Sequence, residues 1–495
     1  MRNLLSTVSC MLCAFALANC NEKPTAPTPD PSPKLAATPS TRPTDPVQVL
    51  SAFVVYTTST GSTRAVEAVP EDASSPPVEL STASVDSTFA GVLSGRRVLI
   101  AQHRSDGSLA ELVAVRGDGR HHESFGALAA GQFDAVRRVS PTGNDAVVEL
   151  ARSSSGATDV YLLQSEKPPC LLAESSTIVT MNSTHVAVLT NGNLQSLSFD
   201  GGKVTPLGGG DGRDAVADVR GDRIFLTLHA ESNGDLRAVN LDGSSAVDFG
   251  NPGLDETAFR WTSTGRPVFA RKTGSVVALI SSAADGTDER VLTPASSSAA
   301  PIRILADDKI LFVNDAGVMS AVSAIDGSSL RVVDPLAGTN VTVGAERNDV
   351  VVYRCETPHW PALRAAKIDG SGVVRLCDKL PAVPFFSGLT VDGRVVYYRS
   401  LAGQLEGGRV LSVNLDGTDE RSVGGSAMSS DGMGVPNAPE DQDFESLTPA
   451  GRLIIEAEFE GMGGRSQLLV TTGEDREATV LTDTTRYARF AALVP

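Results

Sequence analysis

A phrase repeated within the chain limits its architecture more than any other feature. Asp285-Gly286-Thr287-Asp288-Glu289-Arg290 recurs letter for letter as Asp416 to Arg421. Looser copies begin at Asp200, Asp242, Asp326 and Asp369, so successive copies stand 41 to 47 residues apart. Before the second exact copy, Leu411-Ser412-Val413-Asn414-Leu415 alternates apolar and polar residues, as a strand with one buried face should. The Asp-Gly pair then turns the chain, because glycine tolerates the positive φ of a tight hairpin turn. The residue before the Asp stays apolar in six copies: Phe199, Leu241, Ala284, Ile325, Ile368 and Leu415. Two residues further back, Leu197, Val239, Ala366 and Val413 keep the same face apolar, while Ser282 and Ser323 dilute it. One Asp-Gly pair is an ordinary turn; six in register are a repeat. A period of about 40–45 residues built from short hairpins predicts a β-propeller with one four-stranded blade per repeat.

A second signature opens the units. Ser140-Pro141-Thr142-Gly143, Ser263-Thr264-Gly265-Arg266, Val391-Asp392-Gly393-Arg394 and Thr448-Pro449-Ala450-Gly451 each precede an apolar strand. With both signatures in hand, residues of about 50 to 495 resemble the WD40-like repeats of the TolB-type propellers. Units of that superfamily open with a Ser-Pro-Asp-Gly-Lys turn between first and second strands and carry an Asp-Gly hairpin between third and fourth. No copy here keeps the whole opening phrase. The resemblance implies a fold and carries over no catalytic or binding residue.

Ten second strands can be counted, starting near Phe53, Val98, Val147, Val186, Ile224, Val268, Ile310, Val350, Val395 and Leu453. Propellers usually have about 4–8 blades, so ten units predict either one large ring or two smaller propellers in tandem. The ends fit one another. Arg486 to Val494 resembles a first strand with no second strand after it, and the unit at Phe53 has a second strand without a first. Pairing the two would close the ring and hide two open sheet edges.

The N-terminus predicts export. Arg2 precedes an apolar stretch, Leu4 to Ala18, that is too short to cross a bilayer as a helix. Ala16-Leu17-Ala18 fits a small-x-small cleavage site, which would leave Asn19 first. Leu17-Ala18-Asn19-Cys20 instead resembles a bacterial lipobox, with Cys20 as the lipidated first residue, although Asn19 replaces the usual small residue. Residues 21–47 are rich in Pro, Thr, Ser and Ala and cannot bury enough apolar surface to fold, as expected of a tether. The expected organisation is a signal peptide at 1–19, a lipidated cysteine and tether at 20–47, and the propeller from 48 to 495. The expected location is the bacterial cell envelope, membrane-bound only through the lipid, or soluble and released if the small-x-small site is used.

After cleavage at Cys20, the remaining cysteines are Cys170, Cys355 and Cys377. The repeat puts Cys355 on a second strand and Cys377 on the fourth of the same unit. Two strand spacings of about 4.8 Å exceed the reach of a disulfide, which argues against bridging them.

Recognisable catalytic chemistry is scarce. There is no Gly-x-Ser-x-Gly elbow, no His-x-x-x-His and no Cys-x-x-Cys pair. His121-His122 follows the Asp118-Gly119 turn, where exposed loop residues are the default over metal ligands. Glu440, Asp441, Asp443 and Glu445 could offer oxygens to a cation, but their spacing matches no calcium loop and predicts a solvated acidic loop. His359-Trp360 sits on a strand-connecting loop, either packed over its own blade or exposed to a partner. A net charge of −17 argues against nucleic acid or anionic lipid as a partner. No cofactor or metal is expected. The function expected is binding or scaffolding of a protein or envelope polymer without catalysis. The alternatives are a lyase or hydrolase with its site in the central channel, and a purely structural envelope protein.

Overall fold

In a computed structural model, the chain is described over residues 52–494 apart from short loop segments, chiefly 210–213, 229–233, 294–297, 357–360, 378–381, 402–407, 424–438, 449–451, 460–465, 473–478 and 483–486. Every regular element among the described residues is a strand, and the strands form ten four-stranded antiparallel sheets. Blade 1 takes residues 53–79 together with 487–494. Blades 2 to 10 follow at 87–127, 133–173, 176–206, 215–249, 255–291, 299–334, 341–377, 382–422 and 439–480. All ten second strands expected from the repeat are present.

The number of rings follows from the cores. Each sheet is apolar on both faces, and ten buried clusters fill the spaces between successive blades. Phe125 of blade 2 and Phe133 and Tyr161 of blade 3 share one cluster, with Phe133 and Tyr161 edge to face at 5.5 Å. Phe225 and Phe249 of blade 5 meet Trp261 of blade 6 in another. The last space, between blades 10 and 1, is filled by Ile454, Leu468 and Val470 against Val54, Tyr56 and Ala488. Every blade therefore has one neighbour on each side, and blade 10 meets blade 1. The array is one closed ring of ten blades and not two propellers.

Tyr487–Val494 pairs antiparallel with Phe53–Thr60 and completes blade 1 as its first strand. First strands pack on the first strands of adjacent blades, whereas fourth strands lie apart, so the first strands form the inner wall. In all ten blades the pairing of first with second strand slips, once in eight of them, as between Phe89 and Gly91, Ile178 and Thr180, and Val343 and Ala345, and twice in blades 3 and 10. A bulge bends its strand and leaves backbone groups unpaired. Neighbouring blades satisfy some of them: Arg138 donates to the Ile178 and Val179 carbonyls of blade 4, and Arg303 to the Gly344 carbonyl of blade 8 at 3.4 Å.

The repeated glycines are explained by the ring as much as by their turns. Gly370 has φ +77°, and a Cβ there would lie 2.2 Å from the Val332 carbonyl oxygen on the fourth strand of blade 7. Gly417 stands in the same relation to Arg375 of blade 8, and Gly286 to Asp248 of blade 5. These Asp-Gly turns thus seat against the outer strand of the preceding blade, so closely at Gly370 that no side chain fits. Its Asp closes the turn by accepting from the backbone two residues on, as Asp416 does from the Thr418 N–H (2.9 Å) and hydroxyl. These hydrogen bonds hold the Asp285 and Asp416 carboxyls below their ordinary range.

Cys355 and Cys377 are both buried and unbridged. Cys355 pairs with Ala362 and Cys377 with Leu363, so a whole strand separates them, and they face different inter-blade cores.

Candidate functional site

In an antiparallel blade the first–second and third–fourth turns emerge on one face of the ring. On that turn face the two signatures meet. The Arg266 guanidinium, from the opening signature of blade 6, donates to the Asp288 carboxylate at 3.1 Å and to its carbonyl at 2.9 Å. In blade 9, Arg394 makes the same pair of contacts with Asp419, at 3.1 and 2.6 Å. The duplicated hexapeptide is therefore duplicated together with its ion-pair partner. Arg271 with Glu289 and Arg399 with Glu420 extend the parallel.

Polar contacts one blade apart then link the inner turns around the channel mouth. Asn182 of blade 4 donates to Asp222 of blade 5 at 2.8 Å. Arg220 of blade 5 donates to the Ser263 carbonyl of blade 6 and lies over Gly265, whose Cβ would stand 2.6 Å from the guanidinium. Ser263 and Thr264 donate in turn to the buried Asp308 of blade 7, and the Ala306 N–H of blade 7 donates to Glu346 of blade 8 at 3.2 Å. Arg347 of blade 8 closes the series on the Thr390 carbonyl of blade 9 at 2.9 Å, beside Gly393. The belt runs without a break from blade 4 to blade 9. In blades 6 and 9 it passes through the opening signature, at Ser263 and Thr264 and beside Gly265 and Gly393.

The inner strands also carry charge that the belt does not use. Arg137, Arg260 and Arg489 are exposed there and form no ion pair among the described residues. Asp134 is exposed on the same inner strand as Arg137. The wall therefore offers separated charges of both signs from several blades, an arrangement suited to holding a polar partner at many points.

The residues singled out in the sequence are scattered. Cys20 and His359-Trp360 lie outside the described residues. Glu440, Asp441, Asp443 and Glu445, expected on a solvated loop, instead belong to the strand Pro439–Leu447, the first strand of blade 10. That expectation failed because four acids in six residues mask strand periodicity, whereas an inner strand bordering a channel does not need two apolar faces. His121 and His122 are exposed, as expected, and lie on the rim between blades 2 and 3. Among the described residues no three His, Cys, Asp or Glu converge as metal ligands. Sequence reasoning missed the buried triad of Asp334, Tyr353 and Arg364. The Tyr353 hydroxyl donates to the Asp334 carboxylate at 2.5 Å, and Arg364 donates to the same oxygen at 2.7 Å and to the Leu336 carbonyl at 2.9 Å. Burial, then the bond to Asp334, pushes the Tyr353 hydroxyl up, and burial does the same to the neighbouring Cys355 thiol. The triad is buried and joins blades 7 and 8.

No family model and no curated protein matches the sequence. Solved structures do. Over 65% of this chain and 82% of its own, TolB from Acinetobacter baumannii is similar at 13% identity and a TM-score of 0.29. Oligogalacturonate lyase from Vibrio parahaemolyticus is similar over 53% of this chain and 74% of its own, at 13% identity and a TM-score of 0.31. A puromycin hydrolase is similar over 63% of this chain, at 14% identity and a TM-score of 0.32; this chain spans 58% of its length. The chain is a β-propeller in fold. Its neighbours include proteins named as enzymes and one that is not, and the fold alone does not choose between those functions.

Proposed function

We propose that this chain is a binding propeller of the bacterial cell envelope, anchored through Cys20, that holds a protein or envelope polymer at an end of its channel without turnover. One observation carries the reading. The polar residues that recur from blade to blade are consumed by turns and by contacts with the next blade, as with Arg266 and Asp288, or Arg347 and Thr390. What differs from blade to blade is the set of inner-strand charges and connecting loops at the channel ends, where residues from several blades can meet one partner.

Affinity capture from envelope extract, paired with a broad hydrolase and lyase screen, tests this. The expected result is a captured partner and no turnover. Turnover that survives purification and disappears in Asp134→Asn would replace the binding reading with an enzyme.

The anchor is tested separately by intact-mass measurement of the mature protein. Cys20 should be the first residue and carry lipid. An unmodified N-terminus at Asn19 would make the protein a released, soluble one.

A further inference from the structure

On the turn face, at the outer rim between blades 2 and 3, lies a cleft of about 1010 Å³ that is open to solvent. Its walls come from the first–second and third–fourth turns of blade 2, the fourth strand beside them, and the third–fourth turn of blade 3. Gly126, at φ +89°, takes a left-handed turn that favours glycine and lies against Pro168 and Pro169 of blade 3.

The lining is unlike the rest of the molecule. The chain carries a net charge of −17, yet the described walls hold three cations, Arg97, Arg116 and Lys167, against one carboxylate, Glu123. That carboxylate is committed, since Arg97 binds it at 2.7 Å. Arg116 makes only a part-exposed pair with Asp118 at 3.3 Å, and its Nε is shut off from solvent without an acceptor. Lys167 is exposed, and among the described residues its ammonium contacts only the Gln164 side chain, at 3.4 Å; its sequence neighbour Glu166 lies outside the described residues. His121 and His122 stand between these cations with further ring nitrogens, and Ser124 and Ser165 add hydroxyls. Apart from Pro168 the lining has no aliphatic side chain and no Phe, Tyr or Trp.

From this we infer that the cleft binds an acidic oligosaccharide, with its carboxylates or sulfates on Arg116 and Lys167 and its hydroxyls on the imidazoles and serines. Charge selects an anion. No Phe, Tyr, Trp or branched aliphatic side chain lines the cleft to supply the anchor that a protein hot spot needs. The volume reaches the top of the range for small-molecule pockets, about 300–1,000 Å³, while staying open, which suits a segment of a longer chain. The inference rests on the binding reading above but places the ligand at the rim instead of the channel end. It narrows the partner to a polymer of defined charge.

The test titrates the full-length mature protein with a heparin-derived hexasaccharide, with cellohexaose as a neutral oligosaccharide of equal length, and with sodium sulfate. The acidic hexasaccharide should bind, more weakly as salt rises, and cellohexaose and sulfate should not bind in the same range. Arg116→Ala combined with Lys167→Ala should weaken binding at least ~10-fold, the loss of two charge-assisted contacts, with an unchanged melting temperature. His121→Ala with His122→Ala, a second exposed pair, should weaken it less. Equal affinity in the Arg116/Lys167 variant and the parent overturns the inference, as does equal binding of cellohexaose. Sulfate binding as tightly as the hexasaccharide would reduce the site to one for a small anion and also overturn it. If the Arg116/Lys167 variant still captures an envelope partner without loss, the rim site fails while the channel-end reading stands.

Discussion

Deleting Tyr487 to Pro495 is expected to lower the melting temperature by at least about 5 °C or to cause aggregation. The lost strand pairs with Phe53–Thr60 along its whole length and supplies the innermost position of blade 1. Ala488 and Val494 are fully buried, Ala488 in the core between blades 10 and 1 and Val494 in the core between blades 1 and 2. Removing the strand opens an edge on Phe53–Thr60 and strips the side of blade 10 that it covers. Lost apolar burial and strand pairing together cost on the order of 5 kcal/mol or more. Thermal unfolding followed by circular dichroism, with light scattering for aggregation, checks this. A truncated chain as stable as the full one would show that the ring does not depend on this closure.

Arg364→Ala should destabilise the protein by about 3–5 kcal/mol, because it leaves a buried carboxylate without its counter-charge. The two side chains are 8% and 3% exposed, and the pair lies where the fourth strand of blade 7 meets blade 8. Joint replacement by apolar residues, Arg364→Met with Asp334→Leu, should recover much of the loss, since neither charge then remains buried alone. By contrast, Arg266→Ala breaks a pair whose Asp288 is 46% exposed and should cost no more than about 1 kcal/mol. Urea unfolding of the single and double variants separates these cases. A double variant less stable than both singles would assign the triad a role beyond charge compensation.

Much of the architecture was legible because the repeat writes one structural unit many times. Phe199, Leu241, Ile368 and Leu415 recur in phase before Asp-Gly turns, and the structure places those turns between third and fourth strands as read. The closing strand was legible from two incomplete units at opposite ends. The acids of Pro439–Leu447 were misread because inner strands border a channel and lose the alternation on which strand recognition depends. The rim cleft was also hidden. Arg97, Arg116 and Lys167 are far apart in a chain that is acidic overall, and net charge says nothing about where opposite charges gather.

Local periodicity and turn chemistry determined the all-β class, the unit length, the ten second strands and the positions of the turns, since each depends on contacts within a few residues. Whether ten units make one ring or two depends on which blade buries the free face of which other, and only the apolar contact between blades 10 and 1 decides it. The seat of Gly370 against Val332, the reach of Arg347 to Thr390 and the burial of Arg364 beside Asp334 belong to the same class. Each joins residues one blade apart. That separation is set by how neighbouring sheets pack side by side, and no local pattern in the chain encodes it.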